Sequence, residues 1–87
     1  MIVKECPSSK SELTALIIQT KRNKTVLAIM KVGKRWSSVK EILENEKIIN
    51  KALIALNVGM PNQIIQYASK YNMENMPYFS LILIRPN

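Results

Sequence analysis

Two runs decide the fold: Leu13-Thr14-Ala15-Leu16-Ile17-Ile18-Gln19 and Thr25-Val26-Leu27-Ala28-Ile29-Met30-Lys31-Val32. Both are rich in β-branched and aliphatic residues, so the sequence predicts a strand over each. Lys21-Arg22-Asn23-Lys24 lies between them, and Asn23 tolerates the positive φ of a tight turn. The expectation is a β-hairpin with a basic, polar tip, its second strand ended by Gly33. In the first strand Leu16 and Ile18 would face one way, and Leu13, Ala15 and Ile17 the other.

Upstream, residues 1–11 read as an irregular arm, with Pro7-Ser8-Ser9 as a turn. Downstream, Ser38-Val39-Lys40-Glu41 matches a capping box and predicts a helix start. Val39, Ile42, Ile49, Leu53 and Leu56 recur at helical spacing, with Asn45 as a candidate break. Gly59 is a stop signal, and Pro61 suits the first turn of a second helix over residues 62–71. Residues 72–77 read as a loop. Residues 78–85, Tyr-Phe-Ser-Leu-Ile-Leu-Ile-Arg, read as a third strand stopped by Pro86.

The expected fold is therefore α+β, in the order β-β-α-α-β. It has a small three-stranded antiparallel sheet, a β-hairpin plus a C-terminal strand, with two or three helices. At 87 residues the chain has room for one hydrophobic core, so residues 1–87 read as a single domain. The strands are apolar on both sides: Phe79, Leu81 and Leu83 oppose Ile82 and Ile84. If the helices cover one face, the other needs cover too, and a homodimer through the sheet is the expected solution.

Composition narrows the chemistry. There are 13 Lys and Arg against six acids, a net charge of +7; every acid is Glu, and there is no His. Without His there is no imidazole base, no Ser-His-Asp relay and no His-ligated metal. Cys6 is the only cysteine, so no internal disulfide and no zinc cluster can form. Glu41, Glu44 and Glu46 read as a helix cap and ion-pair partners rather than a two-metal site. Two glycines leave no phosphate-binding loop. No enzyme activity, cofactor or metal is expected. The charged start is unlike a signal peptide, and the longest apolar runs fall far short of the roughly 20 residues of a membrane-spanning helix, so a cytoplasmic protein is expected.

The charge is concentrated. Lys21, Arg22, Lys24, Lys31, Lys34 and Arg35 stand within residues 20–35, with no acid among them. Such a patch is a candidate surface for nucleic acid or another polyanion, and equally for an acidic protein surface. Trp36 follows it and is a candidate for stacking on a base.

Residues 51–70, Lys51-Ala-Leu-Ile-Ala-Leu-Asn-Val-Gly-Met-Pro-Asn-Gln-Ile-Ile-Gln-Tyr-Ala-Ser-Lys70, resemble the helix-turn-helix of phage repressors and Cro-like proteins. Ala55 sits at the fifth place and Gly59 at the ninth. The resemblance implies a recognition helix over residues 61–70, with Asn62, Gln63, Gln66, Tyr67 and Lys70 toward DNA bases. The alternative for the same residues is an αα-hairpin packed on the sheet.

Two functions compete. One is a small basic nucleic-acid-binding protein, a regulator of phage or mobile-element type. The other is a small non-enzymatic inhibitor or adaptor, of the phage anti-host or anti-defence kind, that binds a protein through the basic patch or the uncovered sheet face. A His-free ribonuclease is the enzymatic counterpart.

Overall fold

The computed structural model describes residues 1–77 and 79–86. Five strands form one mixed sheet: β1 (Ile2–Glu5), β2 (Leu27–Met30), β3 (Ala52–Leu56), β4 (Ile64–Tyr67) and β5 (Leu81–Ile84). Two α-helices accompany it, α1 (Lys10–Asn23) and α2 (Trp36–Asn45). The spatial order is β1-β2-β5-β3-β4. Strands β1 and β2 pair in parallel, and every other neighbour is antiparallel. This overturns the three-stranded antiparallel sheet and the β-β-α-α-β order. The class remains α+β with two helices.

The largest correction concerns residues 13–19, which are the middle of α1 rather than a strand. Leu13, Ile17 and Thr20 are buried and Leu16 packs beside them, a spacing of three and four residues. Ala15 and Gln19 face solvent. The β-branched residues cost a helix only a few tenths of a kcal/mol each, and packing of one face outweighs that. Ser9 caps the helix, its Oγ accepting the Glu12 amide at 3.4 Å. Ser9-Lys10-Ser11-Glu12 is itself a capping-box sequence directly before the apolar run. Thr20 is satisfied while buried because its hydroxyl donates to the Leu16 carbonyl at 2.8 Å.

With a helix at residues 10–23, the arm and the hairpin both disappear. Residues 2–5 of the expected arm are β1, hydrogen-bonded to β2. The expected hairpin tip is the C-terminal end of α1, where Lys24 takes the left-handed conformation at φ 54°.

The second correction concerns residues 51–70, which form the antiparallel pair β3–β4, not two helices. Ala52 and Ile54 are buried while Leu53 and Ala55 are half-buried, a period of two. A short apolar run fits either periodicity, and here pairing with β5 selects the strand. Gly59 does adopt a positive φ, 79°, but inside the β3–β4 connection. The expected third strand is shorter, as β5, and sits between β2 and β3; Tyr78, its expected first residue, lies outside the described residues.

The topology explains the layers. The chain passes from β1 through α1 to β2, then from β2 through α2 to β3, moving the same way across the sheet each time. Strands β1, β2 and β3 all run in one direction. Right-handed crossovers taken in the same direction put both helices on the same face. The buried core confirms it: Leu27, Ile29, Ile54, Ile82 and Ile84 pack with Leu13, Ile17, Val39 and Leu43 of the helices. Trp36 is buried in the same core, edge-on to Tyr71 with ring centroids 5.5 Å apart.

Candidate interaction surface

The helical face of the sheet is closed, and the opposite face is open. Two rows of side chains cross that open face, as the strand register shows. One row is Val3, Ala28, Leu83, Leu53 and Tyr67. The other is Glu5, Met30, Leu81, Ala55 and Ile65. Nine of these ten carry no formal charge. Val3 is 51% exposed, Ile65 62% and Tyr67 54%. An antiparallel face turned to water ordinarily alternates to polar residues; this one does not.

The apolar surface continues past one end of the strands. The Val58 amide donates to the Phe79 carbonyl at 2.8 Å, which brings the β3–β4 connection against the chain entering β5. Val58 and Phe79, 59% exposed, join Met30 and Leu81 around a shallow pocket of about 340 Å³. Lys31 stands at its rim, bonded to Glu5 at 2.6 Å.

The basic residues do not form one patch. Lys21, Arg22 and Lys24 lie at the end of α1, before β2 begins; Lys31, Lys34 and Arg35 lie after β2 ends. The two groups are about 20 Å apart at 3.3 Å per residue of extended chain. Neither group lines the open face, apart from Lys31 at its corner. Among the described residues, Lys10 pairs with Glu41 at 2.9 Å, Lys21 with Glu46 at 3.4 Å, and Lys31 with Glu5. Such exposed pairs contribute at most about 1 kcal/mol each.

The candidate base-reading residues are dispersed. Asn62 and Gln63 are in the β3–β4 connection, where the Gln63 Oε1 accepts the Gly59 amide at 3.0 Å. Gln66 and Tyr67 are consecutive in β4 and so face opposite sides of the sheet. Lys70 ends a short 3₁₀ turn, Ala68–Lys70. No reading helix exists to gather them. Trp36 is 1% exposed and offers no ring face to a base, which removes it as a stacking residue.

Cys6 is buried beside the end of β1. Burial pushes its thiol up from the ordinary 9.0, and the Arg35 charge partly offsets this. Burial likewise raises Tyr71, whose hydroxyl donates to the Asn75 carbonyl at 2.6 Å. Among the described residues no three His, Cys, Asp or Glu groups cluster as metal ligands, and no helix is long and apolar enough to cross a membrane.

The open face was half legible in the sequence. Leu81 and Leu83 alternate with Ile82 and Ile84, which already requires two apolar surroundings. The contributions of β1, β3 and β4 were hidden, because none of them was expected as a strand.

No family model and no curated protein matches this chain. Among solved structures, the fold is similar to that of the methyltransferase CobJ, with a TM-score of 0.70 at 15% identity. The superposition covers 97% of this chain and 40% of that one, so the chain spans less than half the length of this structural neighbour, and what they share is the fold.

Proposed function

We propose that this chain is a binding module without enzymatic turnover, one that works by docking its open sheet face onto an apolar surface. The observation that carries the reading is the bare face itself. Five strands present two rows of side chains with a single charge among ten, and no element of the described chain covers them. Contiguous exposed apolar patches of several hundred Å² are the usual mark of an interaction site. The pocket between Met30, Val58, Phe79 and Leu81 is suited to an apolar anchor side chain. An inhibitor or adaptor would use such a surface.

Carbene footprinting tests this. The chain labelled inside expressing cells is compared with the purified chain diluted to nanomolar concentration. Val3, Ile65, Tyr67 and Leu83 should be protected in cells and reactive when dilute. Equal labelling in both states sinks the reading.

A second reading, binding of nucleic acid, is favoured by the net charge of +7. It now rests on charge alone, at the end of α1 and around the start of α2. Duplex binding that weakens steeply with salt supports it, and absence of binding at low salt rejects it.

A further inference from the structure

Resting on the docking reading above, we propose that the occupant of the open face is a second copy of this chain, packed sheet to sheet about a two-fold axis.

Shape gives the first argument. Each row holds one alanine, and the two alanines are placed diagonally: Ala28 on β2 and Ala55 on β3. Strands β2 and β3 flank the central β5 symmetrically. A two-fold axis along β5 sets Ala28 against Leu53 of the second copy, and Ala55 against Met30 of the second copy. A two-fold axis across the strands sets Ala28 against Met30 of the second copy, and Leu53 against Ala55 of the second copy. Either way Ala55, half-buried, lies opposite a large side chain, while Ala28, 3% exposed, is already covered by its own neighbours. Small against large across facing layers is what lets two layers interdigitate. Two copies also share one twist, and sheets of equal twist pack aligned at about −30° and about 10 Å apart.

Charge gives the second argument. The excess cations stand on the helical layer and beyond the strand ends, while Glu5 and Lys31 at the face corner neutralise each other. In a face-to-face pair the two helical layers point outward. They are then about 30 Å apart, three layer spacings, well beyond the roughly 8–10 Å screening length of physiological salt. The cations of the two helical layers therefore add little opposition to association. An acidic partner would find its complement elsewhere on the molecule.

Area gives the third. By their fractional exposures, Val3, Ile65, Tyr67, Val58 and Phe79 together offer roughly 500 Å² per copy, at about 150–250 Å² for a large side chain. A pair would bury at most about 1,000 Å², the size of a small or weak specific interface.

Sedimentation velocity on the full chain, from about 1 to 200 μM, reads the association directly. The expected result is a monomer–dimer equilibrium. Leu83→Glu, at the centre of the face, and Ile65→Glu, at its edge, are made separately; two-fold symmetry places each new charge in the interface twice. Each should weaken the dimer at least tenfold with the circular dichroism spectrum unchanged, while Lys21→Glu should leave it intact. Should Leu83→Glu fail to fold, Ile65→Glu decides alone, since its side chain is already exposed. A monomer at every concentration overturns the proposal, and so does a dimer indifferent to both face substitutions. If the chain is a monomer yet its face is protected in cells, another molecule is the occupant and the docking reading survives. If the face is also unprotected in cells, both fail.

Discussion

At the level of single residues, side chains outside the expected motifs turned out to set the local structure. Ser9 starts the first helix, and Ser38, singled out by the same signature, is the third residue of α2, whose N-cap Arg35 makes no side-chain bond. Two Ser-x-x-Glu signatures occur in the chain, and only the one with free amides ahead of it becomes a cap. Ser9→Ala should therefore lower stability by about 1 kcal/mol, read from urea unfolding, and Ser38→Ala by markedly less. Cys6 offers a test of burial through pH. Its raised pKa leaves less thiolate at any given pH, so at pH 8 iodoacetamide should modify the native thiol more slowly than the thiol of the urea-unfolded chain. The sign carries over to stability. The thiol and the Tyr71 phenol are both raised, so the unfolded chain ionises first as pH climbs through their ordinary values of 9.0 and 10.0. Their contribution is intact below pH 9 and is lost above it. Urea midpoints across that range should fall less steeply in Cys6→Ala.

At the level of elements, the two misread segments fail for different reasons. Residues 10–23 contain the helical spacing Leu13, Leu16, Ile17 and Thr20, but their β-branched composition argues for a strand. Pattern and propensity disagreed, and the pattern was right because burial is worth more than propensity. Residues 52–56 are too short for periodicity to decide, and the partner strand β5 comes nearly thirty residues later. No local rule contains that pairing. Gly59 was correctly read as a position of positive φ, although in a different element. A Cβ there would meet nothing within 4 Å, so Gly59→Ala is penalised by backbone conformation alone. It should cost about 1 kcal/mol and leave the folded circular dichroism spectrum unchanged. A much larger loss would mean that the β3–β4 connection packs more tightly than the structure shows.

At the level of the whole molecule, topology separates two chemistries. Same-direction crossovers collect both helices on one side of the sheet, with Lys10, Lys21, Arg22 and Lys40 on them. The other side is left apolar and nearly uncharged. The protein thus has two unlike surfaces, and the two functional readings belong to opposite sides of one sheet. Charge reversal distinguishes them. Lys21→Glu, Arg22→Glu and Lys24→Glu together should shrink the slope of any duplex affinity against salt, by about one unit for each phosphate no longer neutralised. The same triple change should leave the behaviour of the open face untouched. A fall in apolar association after that change would show the two surfaces to be one.

The sequence by itself determined the absence of His, the concentration of charge in residues 20–35, the positive φ at Gly59 and the apolar strand at residues 81–84. Each depends on a residue type or on neighbours within a few positions. Only the tertiary structure decided that residues 13–19 are helical, that β5 inserts between β2 and β3, and that charge contiguous in sequence is divided between the two ends of β2. Those outcomes depend on which distant segment covers which face. The bare sheet face belongs to this second group: alternation shows that a strand needs apolar company on both sides, but the handedness of two crossovers determines which side receives it.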